Sequence, residues 1–269
     1  MSRAMTTVVR EGSRLAWYRD AADAPGFWDR HWEQNKPVYV RNLTLPSWYR
    51  GVMQDVLPRD GLIVEAGCGN GVVVRALRDR GYDIEGLDFA PRTIEANRAV
   101  DPDGRYMVGD VRAMPYDDGS LGGVISLGVV EHFSDADRSV ILRETARCLR
   151  PGGVAVLSVP YFSPLRRVRA SVGGFRHRDR ACGSFYQFAF SRRDFSEQIE
   201  RAGLRVERCD AYGVRKGVKD TLGSGPVFRV VFGTNEHDRA LLDHPVRPLR
   251  MFAGHMLLVV ARRPSGGSL

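Results

Sequence analysis

The 269-residue chain has almost no lysine, few cysteines and no long apolar run. Lys36, Lys216 and Lys219 are its lysines, so nearly all of the 40 basic residues are arginine, a bias that a GC-rich coding sequence produces without selection for function. Cys68, Cys148, Cys182 and Cys209 lie far apart with no Cys-x-x-Cys pair, which excludes a disulfide framework and speaks against a zinc site. No stretch approaches the ~18 to 20 apolar residues of a membrane span, and Met1 to Arg10 lacks the apolar core of a signal peptide. A cytoplasmic location is therefore expected. There is no internal repeat, which removes solenoids and propellers. What is present is ordinary for a globular chain: 43% hydrophobic, 27% charged and 9% aromatic residues, a balance that excludes disorder, collagen-like fibres and membrane bundles.

The formal charge is +8 and the pI near 9.6, values that invite an anionic partner. The excess is concentrated. Between Tyr161 and Arg193 the chain carries Arg166, Arg167, Arg169, Arg176, Arg178, Arg180, Arg192 and Arg193 against a single acid, Asp179. Guanidinium groups could clamp a phosphate, carboxylate or sulfate there, and bland arginine bias on a solvated lid explains the same run.

The middle of the chain alternates short apolar runs with helical spacing. Strands are expected at 61–66, 82–88, 105–108, 121–127 and 154–159, with helices at 71–80, 91–100 and 135–149 between them. Pro151-Gly152-Gly153 reads as a turn that stops the last helix, and Ser191 as the N-cap of a helix running to Ala202. Two closing strands are expected at 204–212 and 255–262. The alternation implies a doubly wound, mostly parallel α/β sheet of seven strands. Residues 1–60, rich in aromatics, are expected as an N-terminal helical cover, 61–269 as the main domain, 161–190 as an inserted basic aromatic lid, and 213–250 as an unassigned insertion.

Glu65-Ala66-Gly67-Cys68-Gly69-Asn70-Gly71 falls at the first strand-to-helix turn, where residues without side chains let a ligand approach backbone and helix N-terminus. A dinucleotide fingerprint counted from Gly67 requires a third glycine where Val72 stands, so the pattern turns away from a dehydrogenase. Asp88 ends the second strand, where a carboxylate accepts ribose hydroxyls. Asp110 follows the third strand at the carboxyl edge of the sheet, in the crevice where doubly wound folds bind ligands; loop capping is the competing role.

These segments, with Gly86-Leu87-Asp88, the run from Gly109 to Tyr116, and Leu149-Arg150-Pro151-Gly152-Gly153, resemble in order the class I S-adenosylmethionine-dependent methyltransferases, particularly the small-molecule group called methyltransferase type 11. The resemblance covers about 61–160. It implies a Rossmann-like fold, the cofactor S-adenosyl-L-methionine, and a cofactor site made of Glu65, Gly67, Cys68, Gly69, Gly71, Asp88, Phe89, Asp110, Val111, Leu127 and Gly128. The glycine loop would cradle the amino-acid part, Asp88 the ribose, and Asp110 with the Val111 backbone the adenine edge, the ring lying between Phe89 and Val111.

Methyl transfer from a sulfonium is an in-line displacement that alignment accelerates. A hydroxyl acceptor also profits from a base, and His132, in Gly128-Val129-Val130-Glu131-His132 after the fourth strand, is the candidate catalytic residue. Glu131 reads as a helix-start acid or a cofactor contact. The resemblance also implies that nucleobase amino methylation would place Asn or Asp, two prolines and an aromatic where this chain has Leu127-Gly128-Val129-Val130. The expected reaction is therefore methylation of a small molecule, at oxygen and of anionic character, with Tyr161, Arg166 and Tyr186 as substrate-binding residues and no metal. Trp28, Trp32 and Arg41 are placed to close over the cofactor. Two alternatives stay open: an RNA methyltransferase using the basic lid as a nucleic-acid surface, and a non-catalytic S-adenosylmethionine-binding module.

Overall fold

The computed structural model describes residues 6–19, 26–33, 47–175, 183–223 and 246–266. In chain order the elements are strands β1 (Thr6–Glu11) and β2 (Arg14–Arg19), helices α1 (Phe27–Glu33) and α2 (Ser47–Val56), then β3 (Ile63–Ala66), α3 (Val72–Arg78), β4 (Ile84–Asp88), α4 (Pro91–Val100), β5 (Tyr106–Val108) and β6 (Leu121–Leu127). A 3-10 turn at Val130–His132 leads to α5 (Asp135–Cys148) and β7 (Leu149–Pro160). There follow α6 (Pro164–Ser171), β8 (Ser184–Ala189), α7 (Arg192–Arg201), β9 (Arg205–Tyr212), α8 (Val214–Leu222), α9 (Arg247–Ala253) and β10 (Met256–Arg262).

The central sheet has seven strands in the order β5-β4-β3-β6-β7-β10-β9. β3 runs parallel to β4 and to β6, and β4 parallel to β5. Because such strands are buried on both faces they read as continuous apolar runs rather than alternations, and all of Ile63, Val64, Val124, Ile125 and Ala155 to Leu157 are fully enclosed. The chain winds outward from β3 to β5, then returns to β6 on the other side. That reversal puts a crevice beyond the carboxyl ends of β3 and β6, the place where open α/β sheets take ligands.

The chain divides into two compact units, one of residues 1–23, 158–197 and 208–259, the other of 24–157, 198–207 and 260–269. The second contains β3 to β6 and the helices between them. Their boundaries follow local chemistry: Pro91 sits in the first turn of α4, where its missing N–H costs nothing, and Ser134 caps α5 by accepting from Asp137 N–H at 3.2 Å. The turn expected at Pro151 to Gly153 is instead the start of β7. Gly152 supplies a left-handed φ of 76°, and its N–H donates to Arg263 O at 2.8 Å, so strand pairing carries the chain through the proline.

In the first unit, β1, β2 and β8 form a separate antiparallel sheet. Helices were expected throughout residues 1–60; α1 and α2 are there, but Thr6 to Arg19 is a hairpin, its turn opened by Gly12 at φ 59°. Pairing with β8, far along the sequence, buries Leu15 and Ala16 and fixes β2 as the middle strand. The 161–190 segment supplies α6 and β8, and the 213–250 segment supplies α8 and the first part of α9. Arg176, Arg178, Asp179, Arg180, Cys182 and Arg41 lie outside the described residues.

Candidate cofactor site

The turn after β3 is built by glycines that cannot be replaced without displacing neighbours. Gly67, Gly69 and Gly71 have φ of 81°, 48° and 67°. A β-carbon on Gly67 would fall 2.4 Å from Val129 Cγ2, and one on Gly69 at 2.4 Å from Trp32 Cζ2. The loop's N–H groups are already committed. Gly67 and Cys68 donate to Leu87 O at 2.7 and 3.0 Å, Gly69 to Asp88 Oδ2 at 2.9 Å, and Gly71 to Cys68 O at 2.9 Å.

Glu65 governs what the loop can accept. Its Oε2 takes the Val74 N–H at 3.2 Å, so a carboxylate sits at the N-terminus of α3. A phosphate-binding loop leaves that position to the ligand's anion; here the protein fills it with its own. Burial pushes the Glu65 carboxyl up to about 8, against the Val74 hydrogen bond. Asp88, 5% exposed, accepts from Gly69 and Ala90 N–H at 2.9 and 3.0 Å. Burial also raises its pKa, and the charge of Asp29 adds to the rise. The Cys68 thiol is held far above its usual range by the same burial, which makes it a packed small side chain rather than a nucleophile.

Along the carboxyl edge, Phe89 is 56% exposed and Val111 is buried. Asp110 is gripped by Arg112 through its Nε and Nη2 and the Arg112 N–H, which lowers the carboxyl below its ordinary range. After β6, Leu127 is half-buried and Gly128 turns with φ 73°, opening onto Glu131. Glu131 is 2% exposed with no partner for Oε2, and burial pushes it up to about 8. His132 packs its ring edge-on against Trp28, centroids 4.6 Å apart.

The second unit thus brings together the eleven cofactor-site residues read from the sequence, His132, and the α1 residues Trp28 and Trp32. Asn97 and Arg75, which sequence reasoning did not single out, hold the loop from behind: Asn97 Nδ2 donates to Gly69 O at 2.7 Å and Arg75 Nη2 to Asn70 O at 2.8 Å. The sequence signal that could have found them is their position on the inward face of each helix.

Tyr161, Arg166 and Tyr186 belong to the first unit. Tyr161 is buried. Arg166, expected as a substrate-binding residue of the basic lid, is 3% exposed: Nη1 donates to Tyr161 O and His255 O at 2.7 and 3.2 Å, and Nη2 lies 2.8 Å from His255 Nδ1. Burial draws its pKa down to about 10. Arg167 and Arg169 on the same helix are exposed. Tyr186 is half-buried beneath the Arg19 guanidinium, 5.6 Å from its ring centre. No group of potential metal ligands occurs among the described residues, and no described helix is long and apolar enough to cross a membrane.

Residues 64–157 match the family model of the methyltransferase domain. A Mycolicibacterium smegmatis protein named as an S-adenosylmethionine-dependent methyltransferase is 32% identical over 155 residues, 58% of this chain and 55% of the relative. The malonyl-[acyl-carrier protein] O-methyltransferase of Serratia marcescens is 29% identical over 66% of this chain and 72% of its own. In structure, a chain from the complex of the Haloferax volcanii Trm112 methyltransferase activator with a methyltransferase superposes with a TM-score of 0.57, at 24% identity over 93% of this chain and 96% of that one. The fold and the ordered motifs are those of the class I S-adenosylmethionine-dependent methyltransferases, and the match to the domain model is confined to residues 64–157. The chain spans about half the length of the Mycolicibacterium relative.

Proposed function

We propose that the protein transfers a methyl group from S-adenosylmethionine to oxygen of a small, anionic acceptor. The observation that carries the cofactor assignment is Glu65 at the head of α3: its buried carboxyl occupies the seat that a pyrophosphate would need, and an ammonium brought beside it favours its ionised form. The residues fit the cofactor, since buried acids at Glu65 and Glu131 can ionise against its two cationic centres and Asp88 stands ready for the ribose. When bound, the cofactor supplies a methyl carbon activated by a sulfonium sulfur.

The chain's own residues align and desolvate. Glu65 and the glycine loop hold the amino-acid end, Asp88 the ribose, and Asp110, Phe89 and Val111 the adenine, while Cys68, Leu127 and Gly128 complete the wall. His132 accepts the proton of a hydroxyl acceptor, its ring steadied by Trp28. An acceptor that is already a carboxylate needs no base. Support for oxygen and for an anion comes from the Serratia relative, whose name records O-methylation of an acyl-carrier-bound malonyl group. Tyr161, Tyr186 and the exposed Arg167 and Arg169 are the substrate-side residues, with Arg166 holding the Tyr161 carbonyl.

The net charge of +8 favours RNA as a second acceptor. The test separates the two. Incubation with methyl-labelled S-adenosylmethionine and host-cell extract, followed by fractionation, should put label in small molecules or lipid. Label released by nuclease would establish the RNA reading, with binding that weakens steeply as salt rises. Tight cofactor binding with no label in any fraction would leave a binding module in place of an enzyme.

A further inference from the structure

The cofactor reading above gives a role to a residue outside the matched 64–157 segment. Helix α1 is pinned across the cofactor loops at two points: Trp32 against Gly69, and Trp28 against His132. Between them in sequence stands Asp29. Its Oδ1 is fully buried and has no hydrogen-bond partner, a costly state for a carboxylate oxygen. The Thr93 hydroxyl is buried and unpartnered in the same way, and both residues line one cavity of about 240 Å³ between α1 and α4. The basic group nearest this cavity, Arg92, is exposed and paired with Glu33 at 3.2 Å, so it does not satisfy Asp29. Asp29 is also near enough to Asp88 for its charge to disfavour ionisation there.

Asp29 stands one helical turn before Trp32, whose indole lies on Gly69, and Asp88 accepts the Gly69 N–H, so both acids adjoin the same loop. Asp88 accepts the Gly69 and Ala90 N–H groups, with a further backbone contact from Phe89, and its two oxygens offer four acceptor sites in all, so capacity for a hydroxyl is left. A ligand that brings two adjacent hydroxyls supplies what both acids lack. We propose that Asp29 is a second ribose-binding carboxylate, accepting one hydroxyl of the vicinal diol that Asp88 also holds. The α1 helix then contributes a polar contact to the cofactor as well as apolar cover, and the acid it contributes comes from the N-terminal side of the matched domain.

Titration calorimetry with adenosine, 2′-deoxyadenosine and 3′-deoxyadenosine tests this on the intact protein. Asp29→Ala should bind adenosine about tenfold more weakly, the loss of one charge-assisted hydrogen bond, and Asp29→Asn should fall between it and the parent. The parent should discriminate against one of the two deoxy analogues, and both variants should lose most of that discrimination. A residue that merely braces α1 would weaken all three nucleosides equally, and that outcome overturns the assignment. So does parental affinity in both variants while Asp88→Ala binds poorly. If neither adenosine nor S-adenosylhomocysteine binds the parent, the cofactor reading itself falls, and the ribose role with it. Asparagine preserves the side-chain volume, so a folded variant is available should alanine destabilise α1.

Discussion

Replacing Glu131 with glutamine should change how the protein's stability responds to pH. Glu131 is enclosed, one oxygen has no partner, and its compensation is limited to its own N–H and the more distant charge of Arg138. Burial holds the carboxyl at about 8, whereas in the unfolded chain it titrates near ~4.3. Between these values the unfolded state releases a proton that the native state keeps. The contribution is therefore complete at pH below the unfolded value and is lost as pH rises toward and through 8. Integrated from pH 5.5 to 8.5, one such group removes about 3 kcal/mol. Urea denaturation of the cofactor-free protein at those two pH values should show the parent losing about that much more than Glu131→Gln. Glu65, raised to about 8 in the same way, leaves part of the pH dependence in the variant. Equal losses in parent and variant would refute the burial argument for Glu131.

Further substitutions probe packing and charge. Gly69→Ala places a methyl at φ 48° and 2.4 Å from the Trp32 indole, so it should cost at least about 1 kcal/mol and weaken S-adenosylmethionine binding; an unchanged denaturation midpoint would mean that α1 does not press on the loop. Arg166→Met should destabilise by about 3 kcal/mol because Tyr161 O and His255 O lose a buried charged donor. By contrast, Arg167→Ala with Arg169→Ala should change stability by less than ~0.5 kcal/mol per site and raise KM for an anionic acceptor. The reverse pattern in melting and kinetic assays would return Arg166 to the surface.

The parallel half of the central sheet is legible because its strands are short, mostly buried runs that end at recognisable motifs: Ile63 to Ala66 before the glycine loop, Ile84 to Leu87 before Asp88. Each run needs no partner to be recognised. The hairpin at Thr6 to Arg19 is different. Its middle strand is stabilised by β8, whose sequence lies beyond the whole methyltransferase domain, and Trp17 and Tyr18 signal burial without saying whether a helix or a strand buries them. Arg166 shows a second limit. A count of charges along Tyr161 to Arg193 weighs every arginine alike, but the N-capping Ser163 starts α6 in a phase that turns Arg166 inward and Arg167 and Arg169 outward. Asp29 carried no signal at all: an acid in a short helix looks like ordinary surface, and its significance lies in an oxygen that finds no donor.

The edge-on pairing of Trp28 and His132 also makes the protein self-reporting. An imidazolium ion quenches indole emission far more than a neutral imidazole does, and the rings stand 4.6 Å apart at 74°. Four tryptophans share the chain, at positions 17, 28, 32 and 48. A version keeping Trp28 alone, with His31 replaced because its ring also lies 5.6 Å from that indole, would turn the proton occupancy of His132 into a fluorescence intensity. The moment at which the imidazole gains or gives up its proton could then be followed in real time, without isotopic label or added dye.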